Sequence, residues 1–235
     1  MSSVSIAARP LIDPVDGVTA VVEGRRWLWP LLAVMACVSL SAVVLYYRWD
    51  ATSAVVGQLT MTGEISRVTE QELIDQIATA QRKALVGGVA KGVLLMPLFA
   101  FLIAVALKFT GWLMGQKALF ARCFAAAAVG MLPLAVYHLV LAAVAFNQFS
   151  VTDTQLETLV PSAVSAFFPR VSPNVGRLLA TLDFFNLWSA ALLGLGFAAA
   201  SGMRKGRGVL LGIVLYVLYA GVFIVGLPGM MGGGK

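Results

Sequence analysis

Five long apolar runs constrain this chain more than any other feature: Trp27–Tyr47, Gly87–Leu107, Leu119–Phe146, Leu178–Met203 and Val209–Leu227, separated by short polar or charged stretches. Each holds about 19 to 28 residues, and a helix needs about 20 to cross a bilayer at 1.5 Å per residue. Inside hydrocarbon only a helix or a closed barrel satisfies every backbone N–H and C=O. Barrel strands alternate in polarity, and these runs do not. The pattern predicts an all-α polytopic membrane protein with five transmembrane helices.

Charged residues make up 12% of the chain, about half the share of an ordinary soluble domain. The net charge of +6 would point toward nucleic acid in a soluble protein. Here the bases sit in short loops beside apolar spans, where membrane topology explains them, and no basic stripe with interleaved aromatics appears. Cys37 and Cys123 fall at different expected depths and read as buried small residues rather than a disulfide. A single histidine, His138, excludes any site that needs two within one chain. The run Trp27–Tyr47 follows a 26-residue lead and exceeds the apolar core of a signal peptide, so it reads as a retained span.

With five spans, three segments share one side. They carry Arg9, Arg25 and Arg26; Lys108, Lys117 and Arg122; and Arg204, Lys205 and Arg207. These nine bases face three acids, Asp13, Asp16 and Glu23, whereas the other side is close to neutral. Bases in short loops set orientation, which predicts a cytoplasmic N-terminus and an outside C-terminus.

Residues 1–26 form an amphipathic lead, with Val15, Val18, Val21 and Val22 at helical spacing. It is expected to lie on the membrane face or to serve as a simple tether. The membrane domain is 27–228, with outer loops at 48–86 and 147–177. In the first loop, Thr69-Glu70-Gln71-Glu72 is a capping box. Leu73, Ile77, Ala80 and Ala84 follow one face, predicting a helix that leads through Gly87-Gly88 into the second span. In the second loop, Ala163–Phe168 is apolar enough to dip into the interface. The glycine-rich 229–235 tail has nothing to pack and reads as flexible.

Ionisable groups inside a bilayer are costly and mark function or a structural tie. Lys91, His138 and Asp183 fall at similar depth in three spans, with Asn186 one turn beyond Asp183. Two readings stand. In one, Lys91 snorkels and Asp183 caps a neighbouring helix or pairs with Lys91. In the other, the cluster is a proton- or cation-linked site. Ala190, Gly194, Ala198 and Gly202 recur every fourth residue and form a small-residue face, for packing within the chain or against another subunit. Pro97 and Pro133 each remove a backbone donor within a span and are expected to bend it. Tyr216 and Tyr219 read as packing.

The segment Leu182-Asp183-Phe184-Phe185-Asn186-Leu187-Trp188-Ser189, followed by Leu192-Leu193-Gly194-Leu195-Gly196, resembles the Asp-(aromatic or Leu)-Phe-x-Leu-Trp element of the Yip-one (Ypt/Rab-interacting protein) domain family. Ser172-Pro173 to Leu178-Leu179 is similar to that family's lead into the same span. Ile12-Asp13-Pro14 to Leu31-Leu32 is similar to its lead into the first. The resemblance runs over about residues 12 to 227 and implies five helices with the N-terminus inside. The 48–86 loop is longer than the family's minimal hairpin. The resemblance is to bacterial members, some of which work beside ABC exporters, and it implies the bacterial cytoplasmic (inner) membrane.

No His-Glu-x-x-His, Gly-x-Ser-x-Gly or intramembrane acid pair appears, and neither enzyme chemistry nor a cofactor is expected. The expected function is a non-enzymatic membrane scaffold or accessory protein, in lipid and with other membrane proteins, an ABC-type exporter among them. A homo-oligomer stays open through the small-residue face. The alternative is a small channel or ion-coupled carrier that uses Lys91, His138 and Asp183.

Overall fold

The computed structural model describes residues 9–168 and 173–222. The first eight residues, residues 169–172, the end of the fifth apolar run and the 229–235 tail lie outside them. The described residues form helices and turns, with two isolated β-bridges and no strand. The helices are α1 (Pro14–Glu23), α2 (Leu28–Arg48), α3 (Ala51–Thr62), α4 (Glu70–Ala90), α5 (Met96–Leu113), α6 (Phe120–Gly130), α7 (Leu132–Phe146), α8 (Asp153–Thr158), α9 (Pro173–Thr181), α10 (Phe184–Ser201) and α11 (Lys205–Tyr219). Five stretches are long and apolar enough to cross a membrane: Leu28–Arg48, Glu70–Leu113, Phe120–Phe146, Phe184–Ser201 and Lys205–Val222. They coincide with the five apolar runs, with shifts at their ends.

The chain divides into two compact units. One comprises Met1–Val34, Met96–Ala135 and Pro161–Lys235; the other comprises Met35–Leu95 and Val136–Val160.

In the first unit, α10 packs against α1, α6 and α11. Small residues set these contacts, because close backbone approach stabilises helix pairs where lipid supplies no hydrophobic drive. A Cβ on Gly194 would strike the Gly208 carbonyl of α11, and one on Gly212 would strike the Ala190 carbonyl. On another face of α10, a Cβ on Gly196 would lie 2.7 Å from the Ala126 methyl of α6. Ala190, Gly194 and Ala198 therefore border α11. Gly202 instead ends α10 in the left-handed region (φ 75°) with open space around it. Helix α1 buries Val18, Val21 and Val22 completely, packed on α6 and α10, and leaves Val15 exposed, with Ile12 exposed just ahead of it. Asp13 caps it, accepting from the Asp16 N–H, and Pro14 stands at its first position.

In the second unit, α3 packs on α4. The capping box at Thr69 is complete. The Thr69 hydroxyl accepts from the Glu72 N–H at 3.3 Å, and the Glu72 carboxylate accepts from the Thr69 N–H at 2.9 Å. From there one continuous helix runs 44 residues to Leu113. At 1.5 Å per residue that is about 66 Å, more than twice the roughly 30 Å of hydrocarbon in a bilayer, so much of α4 projects beyond it. Helix α3 runs from an Asp50 N-cap to Gly63 in the left-handed region (φ 71°). With α4 it makes a helical arm.

Both span prolines stand at irregularities. Pro97 has no N–H for the Val93 carbonyl, and the ladder passes through a π turn at Lys91–Leu95 just before it. Pro133 cannot donate to Val129, and the α6–α7 helix is interrupted at Met131. The fourth run also differs from expectation. It is not continuous from Leu178: α9 ends at Thr181, and α10 restarts at Phe184 with Asp183 as its N-cap. A carboxylate that bonds its own helix's free N–H groups favours a start at that point over an unbroken helix.

Candidate intramembrane polar site

The four polar residues singled out in the spans fall into two groups, one in each unit. Asp183 and Asn186 belong to the first. Asp183 is buried, with 9% of its surface exposed. One carboxylate oxygen accepts from the Asn186 backbone N–H at 3.0 Å, and the other accepts from the Ser162 hydroxyl. The backbone completes this clasp. Phe184 N–H donates to the Ser162 carbonyl at 3.0 Å, Val164 N–H donates to the Leu182 carbonyl at 3.0 Å, and Ala163 and Asp183 form an antiparallel bridge. Tyr216 of α11 donates to the Thr181 carbonyl at 2.6 Å and hydrogen-bonds the Asn186 side chain. Thus α9, α10, α11 and the segment from Ser162 are tied at one polar point. Beside it, Val164–Phe167 forms a 3-10 turn that leaves Phe167 and Phe168 exposed.

The second group holds His138 and Lys91. His138 is buried, and its Nδ1 lies 2.8 Å from Ser41 Oγ, which donates its one proton to the Val38 carbonyl at 2.8 Å. Lys91 opens the π turn, with its side chain exposed, within electrostatic reach of the imidazole. Gly88 and Gly92 border α2, where a Cβ on Gly92 would lie 3.0 Å from the Met35 carbonyl.

The C-terminal end of α2 is pinned in the same unit. Asp50 N–H donates to the Val151 carbonyl at 2.9 Å, and Val151 N–H donates to the Arg48 carbonyl at 2.7 Å. Trp49 Nε1 donates to Asp153 at 2.7 Å, and the Arg48 guanidinium stands 5.4 Å from the Phe146 ring centroid. The Ser53 hydroxyl and backbone N–H, donating to Asp50, hold its carboxyl below the usual carboxylate range.

Sequence reasoning missed the partners. Ser162 is 21 residues from Asp183, and Ser41 is 97 residues from His138. Only a fold brings such pairs together. Tyr216, expected as packing, carries a hydrogen bond between helices. Among the described residues no group of three or more His, Cys, Asp or Glu could hold a metal ion.

The sequence matches the Yip1 domain over residues 9–227. Neither a curated protein nor a solved structure was found similar to it. The match takes in all five apolar helices, the Asp183 clasp and the His138 pair, and the chain is a multi-pass membrane protein that belongs to the Yip1 domain family.

Proposed function

We propose that the protein is a non-enzymatic scaffold or accessory subunit in a bacterial cytoplasmic membrane, with its N-terminus inside, serving a larger membrane assembly such as an ABC-type exporter. The observation that carries this reading is how Asp183 is used. Its carboxylate is engaged by Ser162 and by its own helix start, a structural role that leaves little for ion transfer. The arm of α3 and α4 supplies a long, polar surface for a partner outside the bilayer. The nine bases of the three short segments support the orientation.

Affinity purification of the full chain in mild detergent tests the reading. A stoichiometric membrane partner is expected, lost when α3 and the start of α4 are replaced by a short linker; recovery of the chain alone counts against it. Labelling of a cysteine placed at Gly206 tests the orientation, which requires that site to be reached only from the cytoplasm. The ion-coupled alternative draws on Lys91 beside the buried His138–Ser41 pair. It requires cation or proton flux in liposomes that falls in His138→Ala.

A further inference from the structure

A groove of about 520 Å³ lies in the first unit, lined by the Gly202–Arg204 turn, the start of α11 and Met114 just past the end of α5. That volume is within the roughly 300–1,000 Å³ of small-molecule sites. Its lining is ordered along α11. Arg207, Leu210, Leu211 and Val214 stand at i, i+3, i+4 and i+7, so they share one helix face over about 10 Å, with Arg204 at the charged end. Among the described residues the one ion pair is Arg9–Asp13, and no described carboxylate lies within 4.0 Å of the Arg204 or Arg207 guanidinium. Two unpaired guanidinium groups at the head of an apolar channel call for an anion that carries hydrocarbon.

We propose that this groove binds an anionic phospholipid, with its phosphate on Arg204 and Arg207 and an acyl chain along Leu210, Leu211 and Val214. Leu210 and Val214 are 63% and 44% exposed, which leaves that wall open to a chain. Gly202, in its left-handed turn, adds no side chain to obstruct the headgroup, and the space a Cβ would take there is open. A soluble phosphate would use the arginines but not the apolar wall.

Native mass spectrometry of the full chain in mild detergent tests this with phosphatidylglycerol and phosphatidylcholine of matched chains. Selective retention of phosphatidylglycerol is expected, unaffected by excess inorganic phosphate. Retention should fall about tenfold or more in Arg204→Gln/Arg207→Gln. It should fall similarly in Val214→Trp, which keeps both charges and fills the groove. Arg26→Gln/Lys117→Gln, which removes two bases elsewhere, should stay near the parent. Three results would overturn the proposal: equal retention of phosphatidylcholine, displacement by phosphate, or undiminished binding in Val214→Trp. An equal loss in the Arg26/Lys117 pair would reduce the effect to overall charge. Should the arginine pair fail to stay monodisperse, Val214→Trp alone decides.

Discussion

Helices α4 and α10 are both glycine-containing and both begin at a side-chain cap, yet they bury very different shares of their residues. Over 21 residues α4 buries none, whereas α10 buries seven of its 18, including Gly194 and Gly196. Around Gly87 of α4 there is open space; around Gly194 stands the backbone of the next helix. A glycine in a helix is therefore no signal in itself. It is a contact where a partner helix closes on it, and a weak point where none does.

The sharpest way to break this contrast is to exchange the glycines' fates. Gly194→Leu should force α11 off α10 and cost about 3 kcal/mol, read as a drop of roughly 6–12 °C in thermal unfolding in detergent. Gly87→Ala should leave the midpoint unchanged or raise it by a degree or two, since Ala favours a helix interior by about 0.5–1 kcal/mol. Equal destabilisation by both would mean that the Gly194 contact contributes nothing of its own.

A smaller effect is expected at the α10 cap. Asp183→Ala removes the N-cap and orphans the Ser162 hydroxyl, costing about 1–2 kcal/mol. Ser162→Ala should recover part of that loss in the double variant, because the two share one bond. Strict additivity in a double-mutant cycle would contradict the clasp.

The smallest and most local effect is at the arm. The Asp50 carboxyl is held below its ordinary value by Ser53. A depressed folded-state value contributes stability that is present above the unfolded value of about 3.9 and is lost as pH falls through the lower folded value. Amide protection in α3, taken relative to the intrinsic exchange rate at each pH, should therefore fall below about pH 4, while protection in α10 around Gly194 does not change. Asp50→Asn should flatten that dependence.

The five spans were readable because the run length needed to cross hydrocarbon leaves few other readings. The long arm was half readable: Thr69 and Glu72 announced α4, but α3 went unrecognised. Its start and stop signals, Asp50 and Gly63, were present in a stretch whose Thr, Ser and Gly content reads as loop. Likewise Thr152 and Gln155 form a second reciprocal cap at α8 that the proline-rich surroundings hid. The polar residues stand out along the chain, but their partners depend on contacts 21 and 97 residues distant, and periodicity holds no record of such pairs. Asp183 shows the ambiguity best. Read as an acid within an apolar run it suggests transport, whereas at a helix start it is an ordinary cap.

The strap at Trp49, Asp50 and Val151 has a practical consequence. Because the foot of the arm is fastened by two backbone hydrogen bonds and the Trp49–Asp153 bond, its far turn at Gly63–Val68 carries little structural duty. An epitope or fluorophore grafted there would ride on an anchored stalk and report what approaches the protein from that side of the bilayer.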